Sequence, residues 1–124
     1  MQKLNNKPKY TLFKNASYAI EGLKHAFKTE TSFKIELFLG IPIFLAIIMI
    51  DTSVTNKLIL TVTALLVPIV ELLNSAVENV VDLVTKEFHP LAKSAKDIGA
   101  TAVLFSVILH ITCWVIILSN LGAK

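Results

Sequence analysis

Residues 67–84, VPIVELLNSAVENVVDLV, form an apolar stretch that carries four polar side chains, Glu71, Asn74, Glu78 and Asp82. At 100° per residue, a helix places these four within about 80° of one another, along about 16 Å of its axis. A carboxylate in hydrocarbon costs about 3 kcal/mol or more, so it persists in a bilayer only where it faces protein, water or a cation. The stretch therefore predicts a membrane-spanning helix with one polar face.

The composition around this stretch is typical of a membrane protein. The chain has 124 residues, of which 54% are hydrophobic, and the apolar residues fall into three blocks, 35–50, 58–84 and 98–118. Because a spanning helix needs about 20 mostly apolar residues, the blocks predict transmembrane helices over about 33–50, 57–84 and 97–119. We therefore expect an all-α membrane protein with one domain, residues 1–124. No apolar run follows the basic N-terminus before residue 35, so we expect no signal peptide.

The distribution of lysine predicts an orientation. Seven lysines precede the first apolar block and three lie between the second and the third, whereas the first connection and the C-terminal tail hold one each. The positive-inside rule assigns the lysine-rich segments to the cytoplasm and the C-terminus to the outside. This charge suits anionic lipid headgroups or a phosphorylated ligand. The chain lacks the interleaved basic and aromatic residues that would indicate nucleic-acid binding.

The segment from about residue 10 to residue 29 has the period of an amphipathic helix. Polar residues, among them three lysines, lie largely on its other sides, and one face is apolar: Phe13, Ala16, Ile20, Leu23 and Phe27. Such a helix lies on a membrane surface with its lysine amines directed toward the headgroups. We expect a surface helix here, and packing on a soluble partner is the alternative. Residues 1–9 are polar and expected to be loosely held.

Polar residues and prolines predict where the helices end. Residues 29–32 predict a break before the first span, and Asp51 or Thr52 is the expected N-cap of the next helix. Pro68 is expected to kink the second span, because its ring removes one backbone hydrogen bond. Residues 85–96 are expected to form a short polar loop.

A second charged group stands next to the polar face. Lys96 and Asp97 occupy the expected start of the third span, level with Asp82, and Glu30 stands at the start of the first span. Carboxylates hold magnesium and lysine offsets phosphate charge, so these residues predict a site for metal-bound phosphates. The sequence contains neither a Gly-x-x-x-x-Gly-Lys-Ser/Thr loop nor a Gly-rich kinase loop. A nucleotide site in this chain must therefore have another design.

Other roles for these acids stay open at this point. Glu71 is the deepest of them and the candidate general base. The acids also fit an ion or proton pathway in a small transporter subunit, or a structural pairing with Lys96 or another subunit. His110, inside the third span, is expected to be a hydrogen-bonded core histidine rather than a ligand.

Two segments, VELLNSAVENVVDLV (70–84) and EFHPLAKSAKDIGATAVL (87–104), closely resemble the prokaryotic diacylglycerol kinase family of small integral-membrane lipid kinases. The resemblance extends from Lys14 to the third span, and its most specific part is Glu-x-x-Asn-x-x-x-Glu-x-x-x-Asp followed by Ala-Lys-Asp. It implies a homotrimer of three-span subunits, each with a surface helix, in the bacterial inner membrane. It also implies transfer of the γ-phosphate of MgATP to a lipid hydroxyl at the cytoplasmic face.

The resemblance implies a role for each matching residue. Glu71 corresponds to the catalytic base, with Asn74 beside it, and Glu30 and Glu78 correspond to the ligands of Mg²⁺. Together with these two acids, the positions around the nucleotide are Tyr18, Asp82, Glu87, Phe88, His89, Lys96 and Asp97. The positions around the lipid are Ala16, Lys24, Phe27, Phe33, Glu36, Glu71 and Ala100. Each site is implied to be shared between neighbouring subunits.

The resemblance predicts the reaction type more firmly than the acceptor. We expect 1,2-diacylglycerol as the acceptor, with undecaprenol as the alternative. An ion or proton transporter subunit and a purely structural membrane protein are the hypotheses from other classes. The chain departs from the family at Ile35, where some members carry glutamine, at Pro68, where an aliphatic residue is more usual, and at Thr11 or Leu12, where an arginine is often found.

Overall fold

The chain folds into four helices, all of whose bounds lie within residues 11–122, the part that this computed structural model describes. They are α1 (Leu12–Thr29), α2 (Thr31–Met49), α3 (Val54–Val84) and α4 (Pro90–Gly122). The last three are long and apolar enough to cross a membrane. This confirms the predicted all-α architecture with three candidate spans. The expected loose segment 1–9 and the expected helix start at residue 10 lie outside the described residues.

The predicted break between α1 and α2 is confined to one residue. Glu30 has extended backbone angles, φ −94° and ψ 104°, between two helical segments. Its N–H donates to the carbonyl of Ala26 at 2.8 Å, and its own carbonyl accepts from the N–H of Lys34 at 3.2 Å. Glu30 therefore closes one helix and opens the next, and the short connection fixes where its side chain starts.

Side-chain hydrogen bonds hold both helix ends at the turn between α2 and α3. Ser53 is the N-cap of α3, because its Oγ accepts from the N–H of Asn56 at 3.2 Å. The expectation that Asp51 or Thr52 would cap this helix is wrong. The Thr52 hydroxyl accepts instead from the Asn56 side chain at 2.8 Å. On the other side, Lys57 Nζ donates to the carbonyl of Ile48 at 2.8 Å, which satisfies one of the last carbonyls of α2.

The connection between α3 and α4 is shorter than the predicted loop 85–96. Only residues 85–89 are non-helical, because α4 already begins at Pro90. Proline is favoured at the first position of a helix, where no N–H partner is needed. His89 precedes it, and its Nδ1 accepts from the N–H of Leu91 at 3.2 Å. Lys96 and Asp97 consequently lie nearly two turns inside α4, and not at its start.

The buried apolar core lies where α2 ends, α3 begins and α4 ends. Ile47, Leu60 and Ile117 contribute one buried side chain from each of these helices, and Cys113 and Trp114 pack against them. Most other large apolar side chains of the three helices are exposed in the single chain. Apolar outer faces are expected of helices that lie in a bilayer and pack with neighbours there.

A buried polar network joins α3 and α4 within the predicted spans. Trp114 Nε1 donates to His110 Nε2 at 3.0 Å, and His110 Nδ1 lies 2.8 Å from the hydroxyl of Thr63. Because the indole nitrogen is only a donor, Nε2 of the histidine accepts and Nδ1 carries the proton. The Thr63 hydroxyl in turn donates to the carbonyl of Ile59 at 2.9 Å. The prediction that His110 is a hydrogen-bonded core histidine is confirmed.

An apolar cleft of about 610 Å³ lies between α2, α3 and α4. Its wall includes Phe44, Pro68 and Val107, and Glu36 is the only carboxylate that lines it. Pro68 sits inside α3, which continues through it as one helix, and the expected kink stays a prediction. The cleft brings Glu36 to the edge of an apolar space, next to the polar face of α3.

Candidate active site

The polar face of α3 is buried near the middle of the helix and exposed toward the C-terminal end of the helix. Glu71 is 7% exposed and Asn74 8%, Glu78 is half-buried, and Asp82 is exposed. Burial within the chain therefore decreases from Glu71 toward Asp82, and the depth of each residue in a membrane stays a prediction. Ser75 belongs to this face as well and is equally buried, although the sequence analysis missed it. The helical period would have found it, because position 75 falls about 40° from Glu71.

Glu30 reaches this face from the break between α1 and α2. The hydroxyl of Ser75 donates to Glu30 Oε2 at 3.3 Å, across 45 residues of sequence. The hydroxyl of Thr29 donates to Glu30 Oε1 at 3.0 Å. The one-residue connection therefore brings the first implied metal ligand into contact with α3.

Glu78, the second implied metal ligand, is held from one helical turn earlier. The side-chain amide of Asn74 donates to Glu78 Oε1 at 3.1 Å. Since Ser75 holds Glu30 and the adjacent residue Asn74 holds Glu78, the two carboxylates are anchored at neighbouring points of α3. The structure thus attaches Glu30 and Glu78 to adjacent residues of α3, and their role as metal ligands stays a prediction.

Four carboxylates share this region. The charge of Glu71 interacts with those of Glu30, Glu36 and Glu78. Glu36 Oε2 is also buried and has no hydrogen-bond partner among the residues that the structure describes. Like charges this close repel one another unless a cation or a proton is present.

The donor chemistry fits magnesium, although residues 11–122 contain no group of three or more His, Cys, Asp or Glu arranged as a complete metal site. Mg²⁺ commonly takes one or two carboxylates from the protein and its remaining ligands from phosphates and water. Glu30 and Glu78 supply such a pair of hard oxygen donors. The expected metal site is therefore one that a phosphorylated ligand would have to complete.

A second, polar cleft of about 370 Å³ lies between the end of α3, the connecting loop and the start of α4. Lys96 Nζ bonds Asp82 Oδ1 at 2.5 Å across it. The charged, aromatic and hydroxyl-bearing residues of its wall are Asp82, Thr85, Lys86, Glu87, Phe88, His89, Lys93 and Lys96. Five of the residues implied around the nucleotide are therefore brought together in one cleft within one chain.

Lys86 and Lys93 also line this cleft, and the sequence analysis did not single them out. Their signal was the local density of lysine in the predicted loop 85–96, of which Lys86 lies in the connection and Lys93 in α4. Asp97 does not line the cleft and instead forms an ion pair with Lys93, one turn earlier on α4. Asp97 thus contacts a lysine of the cleft wall but does not line the cleft itself.

The remaining implied residues do not line the polar cleft. Tyr18 is exposed on α1 and does not line the polar cleft, and Ala100 is exposed on α4. Phe33 is buried at the start of α2. The other implied lipid positions are exposed on α1: Ala16, Lys24 and Phe27. Their assigned roles stay predictions.

Comparison with known proteins places these features in a family. The family model described as prokaryotic diacylglycerol kinase matches residues 17–118. The "Diacylglycerol kinase" of Escherichia coli (strain K12) is 37% identical over 118 residues, which cover 92% of this chain and 94% of that protein. The protein of the same name from Haemophilus influenzae is 40% identical over 83% of this chain and 87% of its own length. That from Synechocystis is 42% identical over 73% of this chain and 53% of its own. The aligned region contains both charged groups, and the chain belongs to the prokaryotic diacylglycerol kinase family.

Proposed function

We propose that this protein is an ATP-dependent lipid kinase that transfers the γ-phosphate of MgATP to the hydroxyl of 1,2-diacylglycerol and forms phosphatidate. The observation that carries the proposal is the polar face of α3. It runs from buried Glu71, about one turn from Pro68 in the wall of the apolar cleft, to exposed Asp82 in a lysine-lined cleft. One helix thus connects surroundings suited to a lipid with surroundings suited to a nucleotide.

Glu71 acts as the general base in this proposal. Its carboxylate accepts the proton of the lipid hydroxyl while that oxygen bonds to the γ-phosphorus. The bond from the γ-phosphorus to the bridging oxygen of the β-phosphate breaks, and ADP leaves. Phosphoryl transfer depends mainly on positioning and charge stabilisation, so the base has only to accept this proton and the other charged residues supply the rest.

The other charged residues hold and neutralise the phosphates. Lys96, fixed by its bond to Asp82, offsets phosphate charge together with Lys86 and Lys93. Glu30 and Glu78 would hold magnesium, which when bound neutralises phosphate charge and orients the reacting groups. Asn74 and Ser75 position these two carboxylates through the hydrogen bonds described above.

The proposal extends to orientation and assembly. The loop between α3 and α4 faces the cytoplasm of a bacterial inner membrane, which the lysines of the polar cleft support. α1 lies on the membrane surface, since its apolar side chains Phe13, Leu23 and Phe27 are exposed beside its lysines. The chain assembles as a homotrimer with shared sites. The exposed apolar faces of α2, α3 and α4 support this assembly, and a neighbouring subunit could then supply Tyr18 to the nucleotide.

A kinase assay with two acceptors tests the function. Purified protein in mixed micelles receives γ-labelled ATP and Mg²⁺ with either 1,2-diacylglycerol or undecaprenol. We expect labelled phosphatidate, and loss of the product by a factor of roughly 100 or more with Glu71→Ala, the usual contribution of a general base. Asp51→Ala, which removes an exposed carboxylate in the α2–α3 turn, should leave the rate unchanged. Transfer to undecaprenol alone would reassign the acceptor.

Two further measurements separate the other function classes. An ion or proton transporter would give ATP-independent flux in proteoliposomes that Glu71→Gln abolishes. A structural protein would show a lower melting temperature with Glu78→Gln and no phosphate transfer in any variant. Transfer that depends on Glu71, without such flux, excludes both alternatives.

A further inference from the structure

Gly99 of α4 lies directly against Asn74 of α3. A Cβ atom added at Gly99 would overlap Asn74 Oδ1 and would stand 3.2 Å from Asn74 Cγ and 3.9 Å from its Cα. At Gly22, Gly40 and Gly122 an added Cβ would meet nothing within 4 Å. Of the four glycines, only Gly99 therefore lacks space for a side chain.

The side chain of Asn74 is buried and is held at its amide nitrogen. It is 8% exposed, and its Oδ1 is fully enclosed without a hydrogen-bond partner among the described residues. Its amide nitrogen is bonded to Glu78 Oε1 at 3.1 Å. A methyl group at position 99 must consequently push the amide away from its place, and the bond to Glu78 is the contact that such a shift breaks.

We infer that Gly99 is a positioning residue: its missing side chain lets α4 approach α3 closely enough to fix Asn74, and Asn74 in turn fixes the carboxylate of Glu78. The effect on catalysis rests on the proposed function, whereas the effect on the position of Glu78 does not. Glycine usually weakens a helix, and alanine is the better helix former. The glycine is therefore required by the close approach and not by helix formation.

Four proteins test the inference: wild type, Gly99→Ala, Asn74→Ala and the double variant. A hydrogen bond to a charged group, once lost, corresponds to a change of roughly 10- to 100-fold. We expect Gly99→Ala to lower kcat/KM for MgATP by this factor and to raise the Mg²⁺ concentration for half-maximal rate. In the Asn74→Ala background the same substitution should change both quantities by less than about twofold, since contacting residues are not additive. Gly122→Ala, on the same helix, is the matched control and should behave as wild type.

Binding of Mn²⁺, measured by electron paramagnetic resonance with a non-hydrolysable ATP analogue, gives a readout that does not need turnover. We expect Gly99→Ala to weaken Mn²⁺ binding in the presence of Asn74 and to have no further effect in its absence. Wild-type behaviour of Gly99→Ala in both assays, or two substitutions whose effects multiply, would overturn the inference. If the wild type transfers no phosphate to lipid, the proposed function fails, and the Mn²⁺ comparison still decides whether Gly99 positions Glu78.

Discussion

Ser75 offers the most direct test of how the site is held, because its hydroxyl makes one described hydrogen bond outside its own helix and a close control exists. Its hydroxyl donates to Glu30 Oε2 at 3.3 Å. A hydrogen bond to a charged group contributes about 1.5–3 kcal/mol, and the long distance favours the lower end. About 1.5 kcal/mol corresponds to roughly tenfold in an equilibrium constant. We therefore expect Ser75→Ala to raise the Mg²⁺ concentration for half-maximal rate by about tenfold.

Ser106 provides the matched control. It is as buried as Ser75, 4% against 7% exposed, but its hydroxyl donates to the carbonyl of Val103 in its own helix. Ser106→Ala should leave the Mg²⁺ requirement unchanged, and Ser75→Thr should retain most of the wild-type behaviour because it keeps the hydroxyl. The assay is initial rate against Mg²⁺ at saturating ATP and lipid. An equal shift for both alanine variants, or none for either, would refute the proposed role of the hydrogen bond between Ser75 and Glu30.

Three further predictions use other contacts. Lys96→Met removes the partner of Asp82 and should lower kcat/KM for ATP roughly 100-fold, the usual effect of losing one charge-stabilising donor. Lys57→Met, in the turn between α2 and α3, is the control and should leave kcat/KM unchanged. Equal losses in the two variants would contradict a special role for Lys96. His110→Ala leaves the Trp114 Nε1 donor unpaired and removes the proton that the Thr63 hydroxyl accepts. The variant should be destabilised by about 1–2 kcal/mol, seen as a lower melting temperature in detergent, and an unchanged melting temperature would contradict the network. Chelation of divalent ions should abolish transfer and added Mn²⁺ should restore it, so full activity in excess chelator would exclude a metal-dependent site.

The sequence predicted the helices well because their signals are local. Three apolar blocks of the right length and one break at Glu30 define most of the architecture. Boundaries at capping residues were less predictable. Ser53 rather than Asp51 or Thr52 caps α3, because several adjacent polar residues could serve and only the backbone geometry selects one. The start of α4 was missed, since Pro90 reads equally as a loop residue and as the first residue of a helix.

The site was predictable along one helix and less so between helices. The period of α3 placed Glu71, Asn74, Glu78 and Asp82 on one face, and the structure agrees. The contact of Ser75 with Glu30 and that of Gly99 with Asn74 depend on how helices approach each other. The helical period of a single sequence shows which residues share a face, but it does not show how closely two helices approach each other. Charge and position pointed to Glu30 and Lys96, and the family resemblance gave each its implied role. The contact between Glu30 and Ser75, 45 residues along the chain, came only from the structure.

The early start of α4 has a further consequence under the proposed function. Pro90 and Lys96 stand on one uninterrupted helix, about 9 Å apart along its axis, and Asp82 joins that helix to the end of α3. The polar cleft is therefore held at a fixed position relative to the rest of α3. The nucleotide can then stay in water and the lipid in the membrane, and the spacing between them is set by the residues of α3 from Glu71 to Asp82. Neither the nucleotide nor the lipid then has to cross the membrane interface before the phosphoryl group is transferred.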